Sequence, residues 1–127
     1  MVMNESGLVA GLYQARGGTK ELGFVWHFED RFSEQDGWQV IRNNRPAVPY
    51  AINEDGLIVG SDEQQAFVWQ EGVFHYINSL ISTQFEDYAD WSFRSLHDVN
   101  EQGIAVGQAD FNGEFRAVVV DLNQLGL

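Results

Sequence analysis

Three segments of this chain follow one pattern: Asn4-Glu5-Ser6-Gly7-Leu8-Val9-Ala10-Gly11, Asn53-Glu54-Asp55-Gly56-Leu57-Ile58-Val59-Gly60 and Asn100-Glu101-Gln102-Gly103-Ile104-Ala105-Val106-Gly107. Each reads Asn-Glu-x-Gly, three apolar residues, then Gly. The asparagines are spaced 49 and 47 residues apart. A second block follows each first one: Gly23-Phe24-Val25-Trp26, Ala66-Phe67-Val68-Trp69 and Ala117-Val118-Val119-Val120. The second block begins 12, 6 and 10 positions after the last glycine of the first, as hairpin loops of differing length produce. Self-similarity at such a period is the mark of a repeat architecture. It predicts one domain over 1–127 made of three repeats, about 1–45, 46–92 and 93–127.

Each unit reads as β structure. In Asn-Glu-x-Gly, the Asn side chain closes a turn and the Gly supplies a positive φ for the bulge that follows. Gly7, Gly56 and Gly103 are therefore expected at positive φ. The apolar triplets are too short for helices, and Phe-Val-Trp favours a strand. Further strands are read at Trp38-Gln39-Val40-Ile41, Val48-Pro49-Tyr50-Ala51-Ile52, Val73-Phe74-His75-Tyr76-Ile77 and Trp91-Ser92-Phe93-Arg94-Ser95-Leu96. About four short strands per ~48 residues fits the blades of β-propellers. The expected fold is all-β, with propeller-like blades in an incomplete or oligomer-completed arrangement. With the strands of a blade labelled a to d, the chain is expected to run b-c-d, a-b-c-d, a-b-c. Residues 78–90 lack strand character and are read as an insertion with one or two helical turns.

The residues carrying these repeats resemble the HAF repeats, a bacterial family often assigned to the extracellular compartment. The family pattern is roughly Ala-x-x-Ile-Asn-x-x-Gly-x-x-Val-Gly, a loop, Ala-Phe-x-Trp, then Gly-x-x-x-x-Leu. Ala51-Ile52-Asn53, Gly56, Val59-Gly60, Ala66-Phe67-Val68-Trp69 and Gly72 match it. The family's His is replaced by Leu22, Gln65 and Arg116, and Val120 stands where the other units have Trp. The resemblance implies a propeller-like fold and export. It implies no catalytic residues. The start, Met1-Val2-Met3-Asn4-Glu5, does not read as a signal peptide.

Composition narrows the partners. Nineteen Asp and Glu against seven Lys and Arg leave a net charge of −12. Nucleic acids and anionic membranes both call for a basic face, so neither is expected as a partner. The chain has no cysteine, which excludes disulfides, thiolate catalysis and Cys-based zinc sites. No apolar run approaches the ~20 residues a membrane helix needs.

Candidate chemistry is sparse. The run from Asp98 to Gly103 resembles half of a calcium loop, but the twelfth loop position is Ala109, where a bidentate carboxylate is required. An Asx-type turn explains all three units at once. His27, His75 and His97 form no metal-binding pair. The pairs Glu29-Asp30, Glu54-Asp55, Asp62-Glu63 and Glu86-Asp87 are sequence neighbours, and neighbours on a strand point to opposite faces. They read as solvated turns rather than a catalytic dyad. No elbow motif holds a nucleophilic Ser. No catalytic residue, metal or cofactor is assigned. Trp26 and Trp69 hold equivalent repeat positions and are expected in the core, with Val120 filling the third place. Phe85, Tyr88 and Trp91, beside Glu86, Asp87 and Asp90, are the best candidates for a binding or interface patch.

The function expected is therefore non-enzymatic. The chain reads as a repeat β module that binds itself, most simply as a homodimer, and takes one further protein or carbohydrate ligand. The alternative is a carbohydrate- or small-ligand-binding propeller fragment that uses exposed aromatics.

Overall fold

The computed structural model describes residues 1–14, 17–18, 21–27, 38–42, 46–88 and 90–127. Side chains at positions 38, 83 and 86 are not described. The described chain is all-β, with three antiparallel sheets, none of them closed, and one short helix. The first sheet holds β1 (Val2–Met3), β2 (Leu8–Gln14), β3 (Glu21–His27) and β4 (Trp38–Val40), in that order. The second holds β5 (Val48–Ile52), β6 (Ile58–Asp62), β7 (Gln65–Gln70) and β8 (Val73–Tyr76). The third holds β9 (Trp91–Val99), β10 (Ile104–Phe111) and β11 (Glu114–Asp121). Every neighbouring pair is consecutive in sequence, so each sheet is a meander.

Two expectations need correction. The chain does not begin at the strand after the first turn. Val2 pairs with Ala10 and Met3 with Val9, so β1 adds an edge strand, and eleven strands are described rather than about ten. Trp26 is half-buried, whereas Trp69 and Val120 are buried. The Ala10/Val25 face of the first sheet packs with the second sheet, and Trp26 lies on the opposite face.

The glycine turns form as expected. Gly7, Gly56 and Gly103 have φ of 90°, 83° and 79°. In each turn the Gly N–H donates to the Asn carbonyl, at 3.3, 3.1 and 3.1 Å. The Asn Oδ1 accepts from the N–H four residues on: Leu8 at 2.9 Å, Leu57 at 3.0 Å and Ile104 at 2.9 Å. A turn with Gly in the left-handed region sets the hairpin register after it. In the hairpins these turns close, Met3 pairs with Val9, Ile52 with Ile58 and Val99 with Ala105. In the hairpins that follow, Val9 pairs with Trp26, Ile58 with Trp69 and Ala105 with Val120. One step on, Ala10 pairs with Val25, Val59 with Val68 and Val106 with Val119. Successive strand residues face opposite sides, so each sheet has two corresponding faces.

Packing follows these faces. Ala10 and Val25 of the first sheet pack with Ile58, Phe67 and Trp69 of the second. The other face of the second sheet, with Val59, Ala66 and Val68, packs with Phe93, Leu96, Ala105, Ala109 and Val120 of the third. The helix α1 (Ile77–Gln84) adds Ile77 and Ile81 to that cluster. They are four residues apart and so share a helix face.

The turns also bond to one another. The Asn4 side-chain amide donates to the Asn53 carbonyl at 3.0 Å, and the Asn53 amide donates to the Asn100 carbonyl at 3.0 Å. Beside them, the Glu5 N–H donates to the Glu54 carboxylate at 2.6 Å, and the Glu54 N–H to the Glu101 carboxylate at 3.0 Å. Asn53, buried between the other two turns, has its polar atoms satisfied, as a buried amide requires. The last glycine of the second and third segments has a separate role. A Cβ on Gly60 would lie 1.9 Å from the Val48 carbonyl oxygen, and one on Gly107 would lie 2.0 Å from that of Ser95. At both, the adjacent strand bulges and brings its backbone against the glycine.

Candidate binding surface

Phe85, Tyr88 and Trp91 are brought together by the turn out of α1. The Phe85 N–H closes the helix on the Ile81 carbonyl at 2.8 Å, and a short 3-10 turn over Glu86–Tyr88 leads to β9. The Phe85 and Tyr88 rings stand edge to face at 6.1 Å, and Tyr88 is 6.3 Å from Trp91. Trp91 continues the row inward, 6.1 Å from Phe93 and 4.9 Å from Phe111. Tyr88 is exposed, while Phe85 and Trp91 are half-buried against the core. Edge-to-face and offset rings attract through their quadrupoles, so the row holds its own shape.

The position of α1 is held by Asn78, whose side chain pairs with the backbone of Phe93. It accepts from the Phe93 N–H at 2.7 Å and donates to the Phe93 carbonyl at 3.2 Å. Gln84 donates to the Leu125 carbonyl at 2.5 Å. Between helix and sheet lies an open groove of about 240 Å³. Ile81, Phe85, Tyr88, Val120 and Leu125 give it apolar walls, and Asp121 and Gln124 add polar groups. An apolar cleft with a few polar groups is a common form of ligand site, although this one is small.

Several residues weighed in the sequence for metal or acid–base chemistry bond to turns or to neighbouring side chains. Asn100 Oδ1 accepts from the Gln102 and Ile104 N–H groups at 3.0 and 2.9 Å, and Asp98 accepts from the Val99 N–H at 2.9 Å. These oxygens close the turn that the sequence sets against the calcium-loop reading. Glu54 bonds to its neighbouring turns. Asp62 is buried and accepts from the Tyr76 hydroxyl at 2.6 Å. Glu29 and Asp30 lie outside the described residues. His75 lines a hollow of about 200 Å³ together with Arg42, which lies 4.7 Å over the Phe74 ring and 4.9 Å over that of Tyr76.

One pair escaped the sequence reading. Ser95 Oγ is 2.8 Å from His97 Nε2, and the imidazole stacks on Tyr50 at 4.9 Å. A nucleophile and its base need a third group that orients the base. Tyr50 instead links His97 to β5, and so the third sheet to the second. The i, i+2 spacing was the only sequence signal for the pair.

The outer face of the third sheet was not anticipated either. Val106, Phe115 and Val119 are 43%, 63% and 72% exposed. They share one face, since Val106 pairs with Val119 and Asp110 with Phe115. Two cations lie nearby: Arg94, bonded to Asp110 at 2.7 Å through Nε, and Arg116, which donates to the Phe115 carbonyl at 2.9 Å.

No family model, curated protein or solved structure matches this chain.

Proposed function

We propose that this chain is a non-enzymatic interaction module, built as one domain of three blade-like β repeats of the HAF type and presenting an apolar sheet face to a protein partner. The observation that carries the reading is the exposure of Val106, Phe115 and Val119. The corresponding face of each other sheet contributes to a core against the next sheet. Apolar clusters left open on a surface mark contact sites. The equivalent turns and registers support the repeat reading.

The row Phe85, Tyr88 and Trp91, with the adjacent groove, favours a second reading: a carbohydrate site in which rings stack on sugar faces and Asp121 and Gln124 bond to hydroxyls. Tryptophan emission during oligosaccharide titration separates the two. On the interaction-module reading the emission is unchanged. A saturable shift abolished by Trp91→Ala assigns the carbohydrate site instead.

A further inference from the structure

We infer that the outer face of the third sheet is the seat for the first sheet of a second copy, so that two chains join head to tail. This rests on the module reading and names its partner. Inside the chain one contact is used twice. The Ala10/Val25 face of the first sheet meets the second sheet at Ile58 and Trp69. The Val59/Val68 face of the second meets the third at Ala105 and Val120. The next face in that series is Val106/Val119, and it is exposed. The surface that continues the series is Val9/Trp26, the register counterpart of Ile58/Trp69 and Ala105/Val120. Met3, paired with Val9 at its edge, is itself 67% exposed.

The turn ladder points the same way. Each Asn amide and Glu N–H donates to the turn that follows it in sequence. Among the described residues, the Asn100 side-chain amide and the Glu101 N–H have no acceptor, and the Glu5 carboxylate has no donor. Asn100, Glu101 and Glu5 are all exposed. A second copy seated on the third sheet brings its Glu5 carboxylate to the Glu101 N–H, repeating the Glu5–Glu54 and Glu54–Glu101 contacts. Donor and acceptor stand at opposite ends of one chain, so each junction joins unlike surfaces, and two copies that close on each other repeat it about a two-fold axis. Two copies contribute six sheets, three from each, within the range in which radial arrays close. The ring then contains two identical junctions. The charge of −12 on each copy opposes the approach, so added salt strengthens it through screening.

The test combines light scattering with cross-linking. At moderate salt and micromolar concentration the expected mass is twice the 14.4 kDa of one chain. Val119→Asp, which changes an exposed side chain, returns the mass to that of one chain with the far-UV spectrum unchanged. The chain has no native cysteine, so Glu5→Cys and Glu101→Cys variants can be mixed and treated with a short bis-maleimide. Head-to-tail union links position 5 to position 101. A single-chain mass at every concentration, or links only between like positions, overturns the inference. If the emission titration also shows no oligosaccharide response, the module reading stands without this partner. An oligosaccharide-induced shift abolished by Trp91→Ala overturns the module reading whatever the mass.

Discussion

The second and third sheets carry almost the same apolar pattern, yet they are buried very differently. Val59 and Val68 are fully enclosed, whereas Val106 and Val119, paired in the same register, are 43% and 72% exposed. The strands do not differ in kind. Among the described residues, the second sheet has a neighbouring sheet on each face, and the third packs against a sheet by one face only. Burial here is a property of the stack, and a strand's pattern states only that it can take a neighbour. The first sheet makes the same point at the other end, where Trp26 is half-buried and its counterpart Trp69 is enclosed.

The contrast is broken most directly at the tryptophans. Trp69→Ala removes a large enclosed side chain, and such truncations cost roughly 3–5 kcal/mol, a large part of the stability of a small domain. Trp26→Ala is expected to cost less than half as much. Chemical denaturation of the two variants, with equal slopes, measures the difference. Equal losses would mean that the middle and outer sheets are supported alike.

The alternation, the Asn-Glu-x-Gly turns and their glycine φ values were legible because they depend on residues close in sequence. Turn chemistry and strand period are local properties. The helix over Ile77–Gln84 was legible only as an absence of strand character. Its support comes from the Asn78 side chain, bonded to Phe93 of β9, and from Ile77 and Ile81 in a distant cluster. The three aromatics Phe85, Tyr88 and Trp91 lie close in sequence and could be named together, but the row's inward continuation through Phe93 and Phe111 depends on strand pairing. β1 was missed because two residues carry no period. The final glycine of each segment was visible as pattern, while the cause at Gly60 and Gly107, a bulged neighbouring strand, was not.

That glycine offers the next test. Gly60→Ala forces a methyl group against the Val48 carbonyl oxygen, and overpacking of this kind costs typically about 1–3 kcal/mol. At Gly11 the nearest atom is on the Phe24 ring at 3.1 Å. A side chain yields more readily than a backbone oxygen, so Gly11→Ala should cost about 1 kcal/mol or less on the same scale. Thermal melts of the pair rank them, and a larger loss at Gly11 would reverse the comparison.

The turn ladder separates its middle rung from its end. Asn53→Ala removes the bond to the Asn100 carbonyl and strips the Leu57 N–H of its side-chain acceptor in a buried setting. Leaving a buried group unpaired costs about 1–3 kcal/mol. Asn100→Ala keeps the carbonyl that Asn53 uses, and it exposes the Ile104 and Gln102 N–H groups to water. About 1 kcal/mol is expected there, the net worth of an ordinary hydrogen bond. Hydrogen exchange at Leu57 and Ile104 follows both losses, and the comparison fails if Ile104 is the more sensitive.

The smallest effects lie on the valines that define the contrast. Val68→Ala removes two methyl groups from an enclosed position, about 1.6 kcal/mol by transfer alone at ~0.8 kcal/mol per group. The cavity left behind adds to it. Val119→Ala trims a side chain that water already reaches, and surface changes of this type stay within about 0.5 kcal/mol. Dilution makes the second measurement informative. If Val119 contacts only water, its small effect is the same at every protein concentration. If a second copy covers it, the native chain gains stability with concentration, because association binds only the folded form. The variant then falls further behind as concentration rises. Melting both proteins across a hundredfold range of concentration reads that divergence, while the Val68→Ala deficit stays constant throughout.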